Sequence, residues 1–185
     1  MNRREFVSTL SGFGIATAVG PWSLSWQAGA ASIDITPGRS LWMAGFALRK
    51  VPAQGTALPL HAKALALKAG SAPTAVLVTM DLLGITAKMS ARVSSIVERR
   101  YGIRRPDVLF NASHTHCGPV VDEQLSVAYD LSSQQREDLR AYTTQLESKL
   151  AAVVGDAVSR LRPAALSYGR DRAEFGANRR VAFSP

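Results

Sequence analysis

The pattern of apolar and polar positions predicts several short strands along the first half of the chain. Residues 31–36 and 61–69 alternate between apolar and polar side chains, which is typical of strands with one solvated face. Residues 74–80 form a short apolar, β-branched run that predicts a strand buried on both faces. Residues 38–58 carry glycine and proline without a clear period, and we expect a long loop there.

A helix between two predicted strands indicates the fold class. Thr86 offers an N-cap and Gly102 a left-handed C-terminus, and the apolar residues between them share one helical face: Met89, Val93, Ile96 and Val97. Residues 107–111 predict the next strand, so residues 74–111 form a strand-helix-strand unit with parallel strands and a right-handed crossover. We therefore predict an α/β fold, a mixed sheet with flanking helices.

A second helix follows farther along the chain. It begins near Ser132, with Gln135 as its capping-box partner, and it must end before Pro163. Its apolar stripe consists of Leu139, Tyr142, Leu146, Leu150, Val153 and Ala157. Residues 165–170 predict one further strand after this helix.

Polar side chains follow both parallel strands at one edge of the predicted sheet. Asp81 ends the first strand, and His114 and His116 follow the second. Ligands of open α/β sheets bind outside the carboxyl ends of strands. In extended geometry, residues two apart point the same way, so the two imidazoles can share a metal, or one can bind metal while the other meets a substrate. The alternative is two ordinary surface histidines.

The first thirty residues have the order of an export signal. Arg3-Arg4 precede a mild apolar stretch from Ser8 to Gly20, and Ala28-Gly29-Ala30 offer a cleavage site. The arginine pair is typical of the twin-arginine type, so we expect a periplasmic or secreted protein with residues 31–185 as its folded part. The candidate cleavage site abuts a predicted strand, which leaves cleavage a few residues earlier open. A loosely ordered basic N-terminus is the alternative.

Net charge and composition limit the classes of partner that we expect this chain to bind. The formal net charge is +8, and two arginines and one glutamate in residues 1–30 leave +7 for residues 31–185. A basic surface favours nucleic acid or an anionic membrane face, but a partial chain also shows an unbalanced charge. The basic residues are scattered without a nucleic-acid-binding pattern, so we expect no nucleic-acid partner. No apolar run of 18 residues occurs, and we expect no membrane-spanning helix in the mature part.

Five short motifs resemble the neutral/alkaline, non-lysosomal ceramidase family, in that family's order. The histidine motif is the specific one, and it has Cys117 where the family pattern leads us to expect Ser. The motifs are Ala31-Ser32-Ile33-Asp34-Ile35-Thr36-Pro37, Met43-Ala44-Gly45-Phe46, Val78-Thr79-Met80-Asp81, His114-Thr115-His116-Cys117-Gly118-Pro119 and Asn178-Arg179-Arg180. The resemblance covers nearly all of residues 30–185 and implies the N-terminal part of a larger catalytic domain.

The resemblance implies zinc-dependent hydrolysis of the amide bond in an N-acyl lipid, converting ceramide to sphingosine and fatty acid. It makes His114 a zinc ligand and places His116 near the substrate carbonyl. Arg179 would contact the substrate's oxygens, and Arg180 is the alternative register. The family takes another His, a Glu and a Tyr as ligands from later in a longer chain. The resemblance therefore implies that residues 31–185 alone bind zinc weakly and are inactive.

Other polar residues leave alternatives open. Asp81 either holds a histidine ring or is a strand-end turn residue. We expect a structural role for His61, no direct role for Cys117, and solvated loop charges at Asp122 and Glu123. The function alternatives are an amidase or esterase of the same fold with another substrate, and an exported, non-catalytic binding module. The expected partners are a lipid-like small molecule and, peripherally, a membrane surface.

Overall fold

One five-stranded sheet carries two helices in this computed structural model, which describes residues 25–46, 49–122, 124 and 128–173. The strand order is β4-β3-β2-β1-β5. The elements are β1 (Trp26–Asp34), β2 (His61–Ala69), β3 (Ala75–Met80), α1 (Ala87–Tyr101), a short 3-10 helix (Arg105–Asp107), β4 (Val108–Ala112), α2 (Ser133–Ser159) and β5 (Arg162–Ala164).

The sheet is mixed, as the sequence predicts. β2 pairs antiparallel with β1 and with β3, and β5 pairs antiparallel with β1. β3 and β4 pair in parallel, with Val76 opposite Val108 and Met80 opposite Ala112. Because α1 joins these two strands, the predicted strand-helix-strand unit and the α/β fold class are confirmed.

Both helices begin and end where local chemistry dictates. The Thr86 hydroxyl accepts a hydrogen bond from the Met89 N–H at 3.0 Å, and Gly102 closes α1 with a φ of 69°. Ser132 and Gln135 form a complete capping box at the start of α2. None of the helices in the described ranges is long and apolar enough to cross a membrane.

Small side chains let the long helix approach the sheet. On the helix-covered face, β1 and β2 present Gly29, Ala31, Ala62, Ala64 and Ala66, all of them buried. α2 packs against this row with residues that are also buried: Leu146, Leu150, Val153, Val154 and Ala157. The core therefore lies between one face of the sheet and the two helices.

The opposite face of the sheet differs from the prediction for residues 74–80. Val76, Val78 and Met80 are buried, but Leu77 and Thr79 are half-buried and Ala75 is exposed. The alternation arises because the helices cover one side of β3 only. The prediction of a strand buried on both faces is therefore wrong within the described part of the chain.

The first and the last of the described strands also differ from the predictions. β1 begins at Trp26 and not at residue 31. The last strand among the described residues is 162–164 and not 165–170, because Arg162 to Ala164 lie directly opposite Ala28 to Trp26. Residues 1–24, which hold the arginine pair of the predicted signal, lie outside the described residues.

Candidate active site

The histidine motif lies at the carboxyl ends of the parallel strands, as predicted. β4 ends at Ala112, and His114 then adopts a φ of 61°, a left-handed conformation that few non-glycine residues take. The rings of His114 and His116 meet with centroids 5.2 Å apart and planes 72° apart. The extended geometry that we expected for the motif is wrong at His114, where the left-handed conformation brings the two rings together.

A backbone carbonyl fixes the tautomer of the neutral His114 ring. Nδ1 of His114 lies 2.8 Å from the Leu83 carbonyl oxygen. Because a carbonyl oxygen only accepts hydrogen bonds, Nδ1 carries the proton. In a neutral imidazole this leaves the Nε2 lone pair free to bind a metal, the arrangement that metal-binding histidines ordinarily show. His114 as a whole is exposed.

The His116 ring packs against the loop that follows β1. Gly45 has a φ of +99°, and a Cβ atom placed there would lie 2.5 Å from Cγ of His116. The Phe46 ring meets the His116 ring edge to face, with centroids 4.9 Å apart. Nη2 of Arg49 lies 3.4 Å from the His116 carbonyl oxygen. The half-buried His116 is thus enclosed by residues from a loop about 70 positions away.

Asp122, in the segment after the motif, is part of a polar network and not a solvated loop charge. Its side chain is only 16% exposed and its φ is 52°. Its carboxylate accepts hydrogen bonds from Thr86 Oγ1 at 2.6 Å and Arg92 Nη2 at 3.3 Å, and its N–H donates to Thr143 Oγ1. The hydrogen bond to Glu147 is the main cause that raises the pKa of Arg92, and Asp122 adds to it. This network ties the segment to both helices.

Asp81 and Cys117 lie on a cleft beside the motif. The cleft has a volume of about 710 Å³ and is lined mostly by the loop from Thr36 to Leu60, together with Asp81, Thr115, Cys117 and Pro119. The Asp81 carboxylate accepts a hydrogen bond from the His61 backbone N–H at 3.0 Å. This contact supports the interpretation of Asp81 as a strand-end residue and gives His61 a structural position at the start of β2. The two histidine rings of the motif are not among the residues that line the cleft.

Comparison with solved structures identifies the fold. A neutral ceramidase from Pseudomonas aeruginosa superposes with a TM-score of 0.65 and 20% identity, over 76% of this chain and 22% of that chain. This chain has the fold of part of neutral ceramidase. A ceramidase complexed with C2 gives a TM-score of 0.63 at the same identity and coverage. No family model and no curated protein matches the sequence.

The ceramidase-like fold agrees with the resemblance carried by the motifs. The chain spans 22% of the length of the ceramidase it matches, so the comparison bears on the fold of a segment and not on a whole enzyme. The identity of 20% is too low to transfer an activity. The site residues must therefore be judged on their own geometry.

The described residues do not form a complete zinc site. No group of three or more His, Cys, Asp or Glu side chains that could hold a metal occurs in the described ranges. His114 and His116 together supply at most two ligands, whereas a catalytic zinc usually has three from the protein. Arg179 and Arg180, the predicted substrate contacts, and Glu123 lie outside the described residues.

Two features of this edge have no clear signal in the sequence. Arg49 lies in no motif, yet its guanidinium lies beside the backbone of the histidine motif. The resemblance of Met43-Ala44-Gly45-Phe46 to the family motif ends at Phe46. Arg49 follows three residues later, which is only a weak indication of a role. A carboxylate in a loop, such as that of Asp122, is usually solvated, so its pairing has no signal in the sequence. Its left-handed φ and its helix partners are properties of the folded chain alone.

Proposed function

We propose that this chain supplies the histidine motif of a zinc-dependent hydrolase that cleaves the amide bond of an N-acyl lipid of the ceramide type. The observation that carries the proposal is the bond from His114 Nδ1 to the Leu83 carbonyl at 2.8 Å, which leaves Nε2 free beside the His116 ring. The motif stands at the carboxyl edge of a ceramidase-like sheet, which supports the same assignment.

His114 is the zinc ligand in this proposal, and His116 faces the substrate. When bound, zinc lowers the pKa of water to about 7 and polarises a carbonyl. His116 would accept a proton from the attacking water, stabilise the oxygen that becomes negative by a hydrogen bond, and pass the proton to the departing amine. Water adds across the C–N bond, so the products are a fatty acid and an amine. Arg179 would contact the substrate's oxygens.

The remaining zinc ligands come, in this proposal, from outside the described part of the chain. Because His116 faces the substrate, His114 is the one zinc ligand assigned among the described residues, and the usual three require two more. An amidase or esterase of the same fold with another acyl substrate would use the same residues. The second candidate function is an exported, non-catalytic binding module, in which the exposed His114 binds metal without turnover.

Histidine variants test the enzyme against the binding module. In the protein expressed from its complete natural reading frame, His114→Ala should lower zinc content, measured by elemental analysis. His116→Ala should retain zinc but lower kcat on an N-acyl sphingosine with a fluorescent acyl chain by on the order of 10² or more. His61→Ala, at the start of β2, is the matched control for zinc content. Full zinc content and full activity in His114→Ala would contradict the assignment, and tight zinc without hydrolysis in the wild type would favour the binding module.

We further propose export by the twin-arginine route, to the periplasm or the exterior. Because β1 begins at Trp26 and pairs along its whole length, we place processing upstream of Trp26 and not at residue 30. Replacing Arg3 and Arg4 by lysine should retain the precursor in the cytoplasm, and N-terminal sequencing of the exported protein should find a start before Trp26. Unchanged delivery of the lysine variant would overturn the route.

The net charge of +7 after residue 30 supports a peripheral contact with anionic lipid.

A further inference from the structure

We infer that Gly45, Phe46 and Arg49 form a cradle that positions the His116 ring, an inference that rests on the proposed role of His116. The two histidines are held differently. A hydrogen bond to Leu83 O orients the His114 ring, whereas no hydrogen bond reaches the His116 ring from the described part of the chain. The orientation of His116 therefore depends on what packs around it.

Gly45 supplies the space for the ring. Any side chain at this position would place Cβ 2.5 Å from Cγ and 2.7 Å from Nδ1 of His116, closer than real contacts allow. The φ of +99° also favours glycine. The Gly45 N–H donates to the hydroxyl of Tyr129 at 2.9 Å, and Tyr129 is buried, so the floor of the cradle is anchored to the core.

Phe46 and Arg49 act on the other sides of His116. The Phe46 ring meets the imidazole at an interplanar angle of 74°, although Phe46 itself is 53% exposed and is not a core residue. The Arg49 guanidinium lies 5.6 Å from the centroid of the Phe46 ring, and its Nη2 approaches the His116 carbonyl. One guanidinium therefore contacts both the backbone of His116 and the ring that orients its imidazole.

Backbone hydrogen bonds hold the cradle and the motif in register. The Ala44 N–H donates to Gly118 O at 2.9 Å, and the Val120 N–H donates to Trp42 O at 2.8 Å. These bonds flank an isolated bridge between Met43 and Pro119. These bonds join the loop directly to the motif and so limit how far the cradle residues can shift relative to His116. Proton transfer depends on such positioning, because a misplacement of about 1 Å can lower a rate by about 10².

In this cradle, Arg49 and Phe46 are positioning residues. Substituting either should change turnover and the orientation of the His116 ring, but not zinc binding by His114. Arg49→Met and Phe46→Leu are the test variants, and Arg49→Lys is the conservative variant. Arg104→Met is the control, because Arg104 is 62% exposed and pairs with Asp107 beyond the far end of β4. The chain has three histidines, so each imidazole gives a separable NMR signal. The signal that is lost in His116→Ala is that of the His116 ring.

The spectroscopic experiment uses the full chain, metal-free, at one fixed pH. In Phe46→Leu and Arg49→Met, the His116 ring signal should shift or broaden, while the signals of His61 and His114 stay within their linewidths. Arg49→Lys should give a smaller change, and Arg104→Met none. An unmoved His116 signal in both Phe46→Leu and Arg49→Met would overturn the cradle. If Arg49→Met fails to fold, Phe46→Leu decides alone, because it alters a partly exposed side chain.

The kinetic experiment uses the protein from the complete reading frame. Phe46→Leu and Arg49→Met should lower kcat about tenfold, with KM and zinc content unchanged. A loss of kcat in proportion to a loss of zinc would overturn the positioning role, as would an unchanged kcat beside a shifted His116 signal. If the wild type hydrolyses no N-acyl lipid, the proposed function fails. The spectrum still decides whether the cradle orients His116, so the two failures are distinguishable.

Discussion

The helix-covered face of the sheet and the loops at its carboxyl edge are held by different kinds of contact. On the covered face, apolar side chains such as Val78, Leu146 and Leu150 are fully buried and share the burial with many neighbours. At the edge, two left-handed residues, His114 and Asp122, are held by individual hydrogen bonds from other elements. The face is held by the sum of many contacts, and the edge by a few.

This difference has a physical consequence for substitutions. Apolar stabilisation is roughly proportional to buried area and is spread over many residues. A buried polar atom that loses its hydrogen-bond partner lowers the free energy of unfolding by about 1–3 kcal/mol by itself. A substitution that forces atoms apart on the covered face disturbs many apolar contacts at once and should lower the stability of the whole fold. A substitution at the edge removes one or two hydrogen bonds, so it should alter local geometry and function at a smaller cost in stability.

The largest effect is expected where backbone meets backbone on the covered face. A Cβ at Gly29 would lie 2.1 Å from the Ala157 carbonyl oxygen and 2.8 Å from the Arg160 carbonyl carbon. Because neither atom can move without shifting the end of α2, Gly29→Ala should lower the free energy of unfolding by about 3 kcal/mol. Urea denaturation followed by circular dichroism measures this loss.

Gly38→Ala is the matched control for Gly29→Ala. A Cβ at Gly38 would meet no atom within 4 Å, so its effect should stay within about 0.5 kcal/mol. Similar losses in the two variants would show that the close approach of α2 to β1 does not limit stability, and the proposed contrast between the two regions would then fail.

An intermediate effect is expected at Asp122, where the edge joins the helices. Asp122→Ala removes the acceptor for Thr86 Oγ1 and Arg92 and places alanine at a φ of 52°, so we expect a loss of about 2 kcal/mol. Asp122→Asn keeps an acceptor and tolerates the left-handed conformation, so its loss should be about 1 kcal/mol. Urea denaturation of both variants compares the losses, and equal losses would contradict the role of the conformation.

The smallest effect is expected at Thr86, which caps α1 and also donates to Asp122. Thr86→Ala should cost about 1 kcal/mol for the cap and slightly more for the lost bond to Asp122. Ser132→Ala removes the equivalent cap of α2 and is the comparison. The double variant Thr86→Ala with Asp122→Ala should cost less than the sum of the single variants. Additive losses would mean that the two regions are not coupled through this bond.

Local chemistry made much of the framework predictable. The cap at Thr86, the left-handed Gly102 and the capping box at Ser132 each depend on residues within one turn of helix, so their sequence signals were sufficient. The parallel pairing of β3 and β4 followed because a helix joins them. The location of His114 and His116 at the carboxyl edge followed from the same rule.

What the sequence by itself determined is the set of elements whose causes are close in the chain, together with the motif that resembles the ceramidases. Only the tertiary structure decided where β1 begins, which face of β3 is buried, how Asp122 is paired and which residues enclose His116. Arg49 lies 67 positions from His116, and Asp122 lies 36 positions from Thr86. Contacts over such separations leave no periodic signal in one sequence. A polar loop residue that has a distant partner and one that has none look the same in the sequence, because only folding brings the partner close.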